Sequence, residues 1–339
     1  MCDKKVKVAL IGAAGIASQH ADAIAGSPHA VFYGICDINR KSADSAAQKH
    51  GVQAFYDYRE VMVNPEINAV VIASPDETHA EISIAAAEAG KHILVEKPPA
   101  TCRKDISRML EAAERNNVQI MCGLSQRFFR RNRAILDRVA SGEIGEPVFA
   151  RISCACSGNG WTADSEYLAR YKHKPYFVFE HNGIHVIDLA CQVFNDFPET
   201  VFLQSQRINR DLPIDDYFVA SLGFKKGVAV TEDNRAAYFN QFPMNSVFQV
   251  IGTKGMISYD GENAGMRIWN ANGTMIPFST MYRPNENGLF LQTISFIKAL
   301  AQGGKVPTDF RHTAKVYCVI EAAIQSYNTR RNEEINYDI

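Results

Sequence analysis

The chain has 339 residues, 46% of them hydrophobic and 22% charged, which is enough for a large core spread over two domains. The 36 Lys and Arg residues nearly balance the 37 Asp and Glu residues, and a net charge of -1 excludes a strong field for nucleic acid or an anionic membrane surface. No apolar run is long enough for a membrane span. The first residues lead straight into a strand pattern without room for a signal peptide, so the expectation is a cytoplasmic protein whose eight scattered cysteines stay reduced.

Residues 6–124 alternate strands and helices. The apolar run at 6–11 is that of a buried parallel strand. The turn Gly12-Ala13-Ala14-Gly15-Ile16-Ala17 follows, and Ile16, His20, Ala21 and Ile24 then recur at helical spacing. Residues 31–36 read as the second strand, and 68–73 as another, stopped by Ser74-Pro75. Thr78-His79-Ala80-Glu81 has the form of a capping box, opening a helix that ends at Gly90. A strand at 92–95 ends in Glu96-Lys97-Pro98-Pro99, where Pro98 fixes the backbone and a cis peptide is one option. A helix at 102–116 and a strand at 118–122 complete the alternation. This is the pattern of a doubly wound parallel sheet with right-handed crossovers, assigned to residues 1–124.

The pattern changes near Ser125. A helix at 130–141 and a turn-rich link at 142–147 precede strands with two-residue alternation. Residues 218–224 and 227–230 read as a hairpin turning at 225–227, and 248–252 with 255–259 as another pair. Helices near 183–195, 288–302 and 311–329 make residues 125–339 an α+β domain.

Glycines at a strand-to-helix turn let the backbone approach a pyrophosphate lying at the positive helix end. Here Ala14 and Ala17 replace the second and third glycines of G-x-G-x-x-G, and a tight turn without ligand is the plain alternative. Asp37, about 25 residues after Gly12, has the spacing of a ribose-binding acid and would repel a 2′-phosphate, which favours NAD over NADP. Arg40 either stacks on adenine or softens that discrimination.

Lys97 ends a parallel strand at the sheet edge where ligands bind, and a cation there holds a substrate hydroxyl and favours its alkoxide. The alternative is a solvent-facing lysine. His181 and His185 share a face if a helix begins near His181, and one neutral imidazole would take a hydroxyl proton as hydride leaves. Like-charge repulsion beside Lys97 keeps at least one of them neutral. Hydrogen-bonded core histidines are the alternative. A zinc site lacks a third ligand and the HExxH pattern, and Cys154 with Cys156 is a poor zinc spacing, so no metal is expected. Residues 157–180 read as a pocket loop carrying Trp161, Tyr167, Arg170, Tyr171, His173, Lys174 and Tyr176, or else as aromatics packed on the domain. Arg127, Arg130, Arg131 and Arg133 either bind substrate or face solvent.

Taken together, these residues resemble the Gfo/Idh/MocA family over nearly the whole chain. The match runs through the Gly12 loop with His20, Asp37, Ser74-Pro75-Asp76-Glu77-Thr78-His79, Glu96-Lys97-Pro98, Gln126-Arg127 and Gly142-Glu143-Ile144-Gly145. It continues through His185-Val186-Ile187-Asp188-Leu189 and Ile251-Gly252-Thr253-Lys254-Gly255. The resemblance implies an N-terminal Rossmann domain and a C-terminal α+β domain with a large open, mostly antiparallel sheet. That sheet covers the nicotinamide site and often forms the contact of a homo-oligomer (dimer, tetramer or larger). It also implies Lys97 and His185 as the catalytic pair. Ser74, Pro75, His79, Glu96, Lys97 and Gln126 join Gly12, Ala14, Gly15, Ile16, Ala17, Asp37 and Arg40 as cofactor residues. Lys97, Arg127, Trp161, Tyr167, Arg170, Tyr176, His181 and His185 face substrate.

One position departs from the family pattern: an Asp is usual four residues before the histidine, and here it is His181. Either His181 contacts substrate, or Glu180 or Asp188 tunes His185. The function expected is NAD-dependent oxidation of a ring hydroxyl, with C3 favoured by the resemblance, on a neutral pyranose or glycoside. An inositol dehydrogenase, a redox-neutral lyase, glycosidase or sugar–sugar oxidoreductase with recycled NAD, and a non-enzymatic sensor are the alternatives. Retention of Lys97 and His185 speaks against the sensor.

Overall fold

The computed structural model describes residues 5–155, 172–208, 210–234, 246–260, 266–270, 273, 275–278 and 287–339. The chain divides into two compact units: residues 1–129 with 284–314 and 339, and residues 130–283 with 315–338. The sequence placed the change near 125; the chain makes it at 129/130 and returns to the first unit at 284.

The first unit is built on β1 (Val6–Ile11), β2 (Ala30–Cys36), β3 (Gln53–Phe55), β4 (Ala69–Ile72), β5 (His92–Val95) and β6 (Ile120–Cys122). All pairs are parallel, in the order β3-β2-β1-β4-β5-β6. Its helices are α1 (Ala17–Gly26), α2 (Arg40–His50), α3 (Tyr58–Val63), α4 (His79–Glu88) and α5 (Arg103–Arg115). The central strands are apolar on both faces because helices cover both: Val8, Leu10, Val70, Val71, Ile93 and Leu94 are buried. The chain reverses its winding direction at β1, which has β2 on one side and β4 on the other. Loops leaving neighbouring carboxyl ends there diverge and open a crevice.

Asn39 caps α2 by accepting from the Ser42 amide at 3.2 Å. The capping box expected at α4 does not form. Thr78 sits in a 3₁₀ turn (Asp76–Thr78) and its hydroxyl donates to the Pro75 carbonyl at 2.7 Å, while Glu81 accepts from the Tyr58 hydroxyl at 2.5 Å. The motif is satisfied in sequence, but the preceding turn takes the Thr78 side chain and a tertiary partner takes that of Glu81. At the other end of α4, Gly90 is left-handed (φ 71°) as read, and the Lys91 amide closes on the Ala86 carbonyl.

The second unit contains α6 (Arg130–Ala140), β7 (Pro147–Ala155), a π-helical turn (Phe179–Gly183) that runs directly into α7 (Ile184–Phe194), and β8 (Thr200–Gln206). It continues through β9 (Tyr217–Phe224), β10 (Gly227–Asn234), β11 (Val247–Gly252), β12 (Gly255–Asp260), β13 (Met266–Asn270) and β14 (Met275–Phe278). The hairpin at 225–227 forms as the alternation implies, with Phe224 opposite Gly227. One face of the sheet is core: Ala150, Ile152, Phe218, Ala220, Leu222, Ala229, Phe248 and Val250 are buried, and α7 packs on β7 and β10. The other face carries a row in register across the strands, Val228–Phe149–Ile251–Met256–Trp269–Met275. Val228, Ile251 and Met275 in that row are 42%, 37% and 49% exposed.

The chain then re-enters the first unit as α8 (Gly288–Ala301). Phe296 and Ile297 complete the core that contains Val8, Leu10 and Ile35. The Gln119 side chain clamps the segment behind the helix, donating to the Gly304 carbonyl at 3.0 Å and accepting from the Val306 amide at 2.9 Å. Helical periodicity announces α8 but not which sheet it covers. Most of α9 (Phe310–Thr329) lies in the second unit, where the Leu203 amide donates to the Ser326 hydroxyl. The short β15 (Glu333–Glu334) closes the sheet edge on β8, giving nine strands in the order β14-β13-β12-β11-β7-β10-β9-β8-β15. All pairs are antiparallel except β7 with β10. Among the described residues, no helix is long and apolar enough to cross a membrane.

Candidate functional site

In the first unit the predicted residues gather at the carboxyl edge of the parallel sheet. Gly12 leaves β1 with φ 104°, and a Cβ there would lie 2.4 Å from the Ala73 carbonyl oxygen at the end of β4. Ala14, Gly15 and Ile16 are exposed in the turn, whereas Ala17 is buried at the start of α1. No side chain caps α1; its first amides, from Ala17 to His20, close on the carbonyls of Ala14, Gly15 and Ile16, and the positive end of the helix faces the turn.

Asp37 follows β2 and holds this loop: Oδ2 accepts from the Ala13 amide at 2.9 Å and Oδ1 from the Asn39 amide at 2.8 Å. Each carboxylate oxygen keeps a further lone pair, enough for two ribose hydroxyls. Arg40 lies 4.1 Å over the Tyr56 ring, a flat cationic surface three residues beyond Asp37. Burial, helped by the charge of Asp37, pushes the Cys36 thiol up to about 12, so it is inert beside the loop. A dinucleotide fits this set. The pyrophosphate needs close backbone approach, supplied where Gly12 lacks a Cβ, and the ribose needs an acceptor pair, supplied by Asp37. Replacing Asp37 by Ser is expected to weaken NAD binding about 10-fold, the scale of a lost charged hydrogen bond, and to narrow the preference over NADP. Affinities for both dinucleotides check this; an unchanged ratio would remove Asp37 from cofactor selection.

After β4, the Ser74 hydroxyl lies 2.7 Å from that of Thr78, and Pro75 is exposed. His79 is buried, with Nδ1 2.7 Å from the Pro98 carbonyl and Nε2 2.9 Å from the Ser74 carbonyl, so it joins the loops after β4 and β5. After β5, Lys97 is half-buried and the Lys97–Pro98 peptide is cis. Glu96 is 7% exposed; Oε1 meets His20 Nε2 at 3.0 Å and Gln292 Nε2 at 3.1 Å, and Oε2 accepts from the Lys97 amide at 3.2 Å. The carboxylate lies against Gly123, where a Cβ would sit 2.7 Å from Oε1.

Burial pushes the Glu96 carboxyl up, but the hydrogen bond and charge of His20 and the ammonium and amide of Lys97 outweigh it and hold it below the ordinary 4.5. The folded state therefore binds fewer protons at this site than the unfolded chain. The stabilisation is present above pH 4.5 and is lost as pH falls through the lower folded value. Urea midpoints measured from neutral to acid pH should fall less steeply in Glu96→Gln than in the wild type; parallel curves would show that Glu96 contributes nothing to the acid limb.

In the second unit, residues 181–191 are all buried except His181 and His185. The two imidazoles are thus the half-buried positions of an otherwise buried stretch. The π-helical turn beneath them is fixed by Phe177, Val178 and Phe179, each at most 2% exposed. The Phe177 ring stacks on His181 at 5.1 Å, and Phe179 meets Phe218 edge-on at 5.0 Å. Glu180 is engaged by Lys174, whose Nζ lies 2.9 and 3.1 Å from its two oxygens. Asp188 is fully buried within α7.

Residues 6–124 match the GFO/IDH/MocA oxidoreductase family, NAD-binding Rossmann fold, and residues 132–258 match the GFO/IDH/MocA C-terminal domain. The chain belongs to the Gfo/Idh/MocA oxidoreductase family. The chain is 28% identical over 262 residues to the myo-inositol 2-dehydrogenase of Thermotoga maritima, covering 75% of each. It is 26% identical over 348 residues to the D-apiose dehydrogenase of Paraburkholderia graminis, covering 98% of this chain and 90% of that one. Its fold matches that of a levoglucosan dehydrogenase in complex with NADH at a TM-score of 0.83 and 23% identity, covering 98% of this chain and 100% of the other.

In this Gfo/Idh/MocA chain the NAD-binding domain brings together Gly12, Asp37, Ser74, Glu96 and Lys97 at one sheet edge. Gln126 and Arg127 follow β6 in a 3₁₀ turn (Ser125–Phe128). Arg131 lies 5.7 Å over the Tyr259 ring, and Arg133 pairs with Asp137 at 2.9 Å. Tyr176 packs edge-on against Tyr327 at 5.9 Å. Trp161, Tyr167, Arg170 and Tyr171 lie outside the described residues. Among the described residues, no group of three or more His, Cys, Asp or Glu could hold a metal ion. Gln292 and Thr293, which close the buried network around Glu96, went unread: they sit on α8 almost two hundred residues away and carry no local signal.

Proposed function

We propose that the chain is an NAD-dependent dehydrogenase acting on a CH–OH group of a pyranose sugar, a glycoside or an inositol, with ring C3 as the preferred position. The observation that carries this reading is the placement of Lys97 at the carboxyl end of β5, on the same sheet edge as the β1 loop that fits a dinucleotide, with its backbone held by buried Glu96. The names of the inositol, apiose and levoglucosan dehydrogenases among its relatives support the substrate class.

NAD supplies the hydride acceptor when bound. The Lys97 ammonium donates to the substrate hydroxyl oxygen and favours its alkoxide. His185 takes the hydroxyl proton. Its Nδ1 is buried, which leaves Nε2 as the proton acceptor. His181, half-buried like His185 and four residues before it, binds a neighbouring hydroxyl. Glu180 is committed to Lys174, which favours this role for His181 over tuning of His185 by Glu180. The protein acts in the cytoplasm, where Cys36, Cys102, Cys122, Cys191 and Cys318 stay reduced.

The test is the reduced-nicotinamide absorbance of the purified protein mixed with pyranoses, glycosides and inositols, before and after NAD is added. A rise with one class supports the dehydrogenase. Product formation without net NADH would move the reading to a redox-neutral cycle, and no change with any polyol would reject it.

The open sheet face is a homo-oligomer contact in this reading, because the row through Val228, Phe149 and Ile251 is apolar and in register. Sedimentation velocity should show Ile251→Glu as a smaller species than the wild type; an unchanged size would place the contact elsewhere.

A further inference from the structure

One buried carboxylate joins three elements of the first unit. Glu96 follows β5, its Oε1 bonds to His20 on α1 and to Gln292 on α8, and its Oε2 accepts from the Lys97 amide. His20 is fully buried, and its Nδ1 lies 2.8 Å from Thr293 Oγ1. The turn from Gly12 into α1 is the dinucleotide cradle, so the helix behind that turn and the strand end that bears the lysine meet at a single side chain.

We propose that His20 is a positioning residue for Lys97, acting through Glu96. The inference rests on the reading of Lys97 as the residue that orients the substrate hydroxyl. An ionised carboxylate stripped of water keeps one orientation only while donors replace its hydration. His20 and Gln292 fill that role at Oε1, and the Lys97 amide does so at Oε2. Without the imidazole donor, Oε1 keeps Gln292 alone, the carboxylate turns, and the Lys97 backbone loses its anchor. A lysine displaced by a fraction of an ångström still binds a hydroxyl but no longer holds it in line for hydride departure.

The two ring nitrogens have different partners, and this separates positioning from packing. A glutamine amide reaches the place of Nε2 and meets Glu96, whereas an asparagine amide reaches only the place of Nδ1 and meets Thr293. His20→Gln and His20→Asn are compared in the full chain, by hydrogen exchange at the Lys97 amide and by NAD reduction with myo-inositol as probe. The expected result for His20→Asn is Lys97 amide exchange faster by about 10-fold. Its kcat is expected to fall by about 30-fold, with KM within about 3-fold of wild type. In His20→Gln both readouts return to within about 3-fold of wild type. Equal effects of Gln and Asn, or an unaltered Lys97 amide in both, would overturn the proposal, as would a loosened amide with an intact kcat. Should His20→Asn fail to fold, Glu96→Gln takes its place, because an amide cannot accept on both sides; an unchanged Lys97 amide there overturns the proposal equally. The exchange readout stands apart from turnover, so a chain that reduces no NAD with any polyol refutes the functional reading while the amide still decides whether His20 holds Lys97.

Discussion

In Lys97→Ala, NADH formation is expected to fall by about 10³-fold, the scale of a lost charge-stabilising donor at a developing alkoxide. NAD affinity is expected to stay within about 3-fold of wild type. The separation follows from which atoms do what. Glu96 is anchored by the Lys97 backbone amide, and alanine keeps that amide. The cradle at Gly12 and the carboxylate of Asp37 lie on other loops and are untouched. Only the ammonium is lost. Steady-state kinetics with the polyol found to reduce NAD, beside dinucleotide titrations, check both halves. A variant that turns over at the wild-type rate would remove Lys97 from the chemistry, and one that loses NAD as well would make it a cofactor ligand first.

Gly12→Val is expected to weaken NAD binding by about 100-fold or more, and to destabilise the chain by about 2–4 kcal/mol. Two effects act together. At φ 104° a branched side chain is strained, and its Cβ would lie 2.4 Å from the Ala73 carbonyl oxygen, a backbone atom that cannot turn aside. The ends of β1 and β4 must move apart, and this is where the winding of the sheet reverses. Gly15→Ala is the control: φ is 59°, nothing lies within 4 Å of the added Cβ, and the cost is about 1–2 kcal/mol of left-handed strain. Urea midpoints and NAD titrations of the two variants distinguish them. Equal losses would mean that conformation alone, not the close approach to Ala73, fixes the turn.

The strands of the first unit were legible because they are apolar on both faces. Residues 6–11 and 92–95 read as buried strands and are β1 and β5 at those bounds. The three-residue β3 (Gln53–Phe55) is too short to show a period, and it went unread. The hairpin at β9–β10 was legible for the opposite reason, since one face of that sheet is core and the other is not, so the residues alternate. What local pattern could not show was partnership. Thr78 and Glu81 have the spacing of a cap, yet Pro75 and Tyr58 hold them. The four-residue interval between His181 and His185 is the same whether or not a π-helical turn lies beneath it. Asp37 and Lys97 could be singled out because strand ends announce themselves, whereas Gln292 bonds to Glu96 from 196 residues away. Long-range hydrogen bonds leave no periodicity to read.

The return of residues 284–314 to the first unit has a consequence for synthesis. The core around Val8, Leu10 and Ile35 is closed by Phe296 and Ile297, which leave the ribosome long after β6. From residue 129 to residue 314 is 185 residues, which takes about 10–40 s at 5–20 residues per second. For that interval the nascent Rossmann sheet waits with one apolar flank uncovered. A fragment that stops at the end of the parallel strands would keep that flank uncovered for good, so the dinucleotide-binding half of this enzyme is complete only when nearly the whole chain has been made.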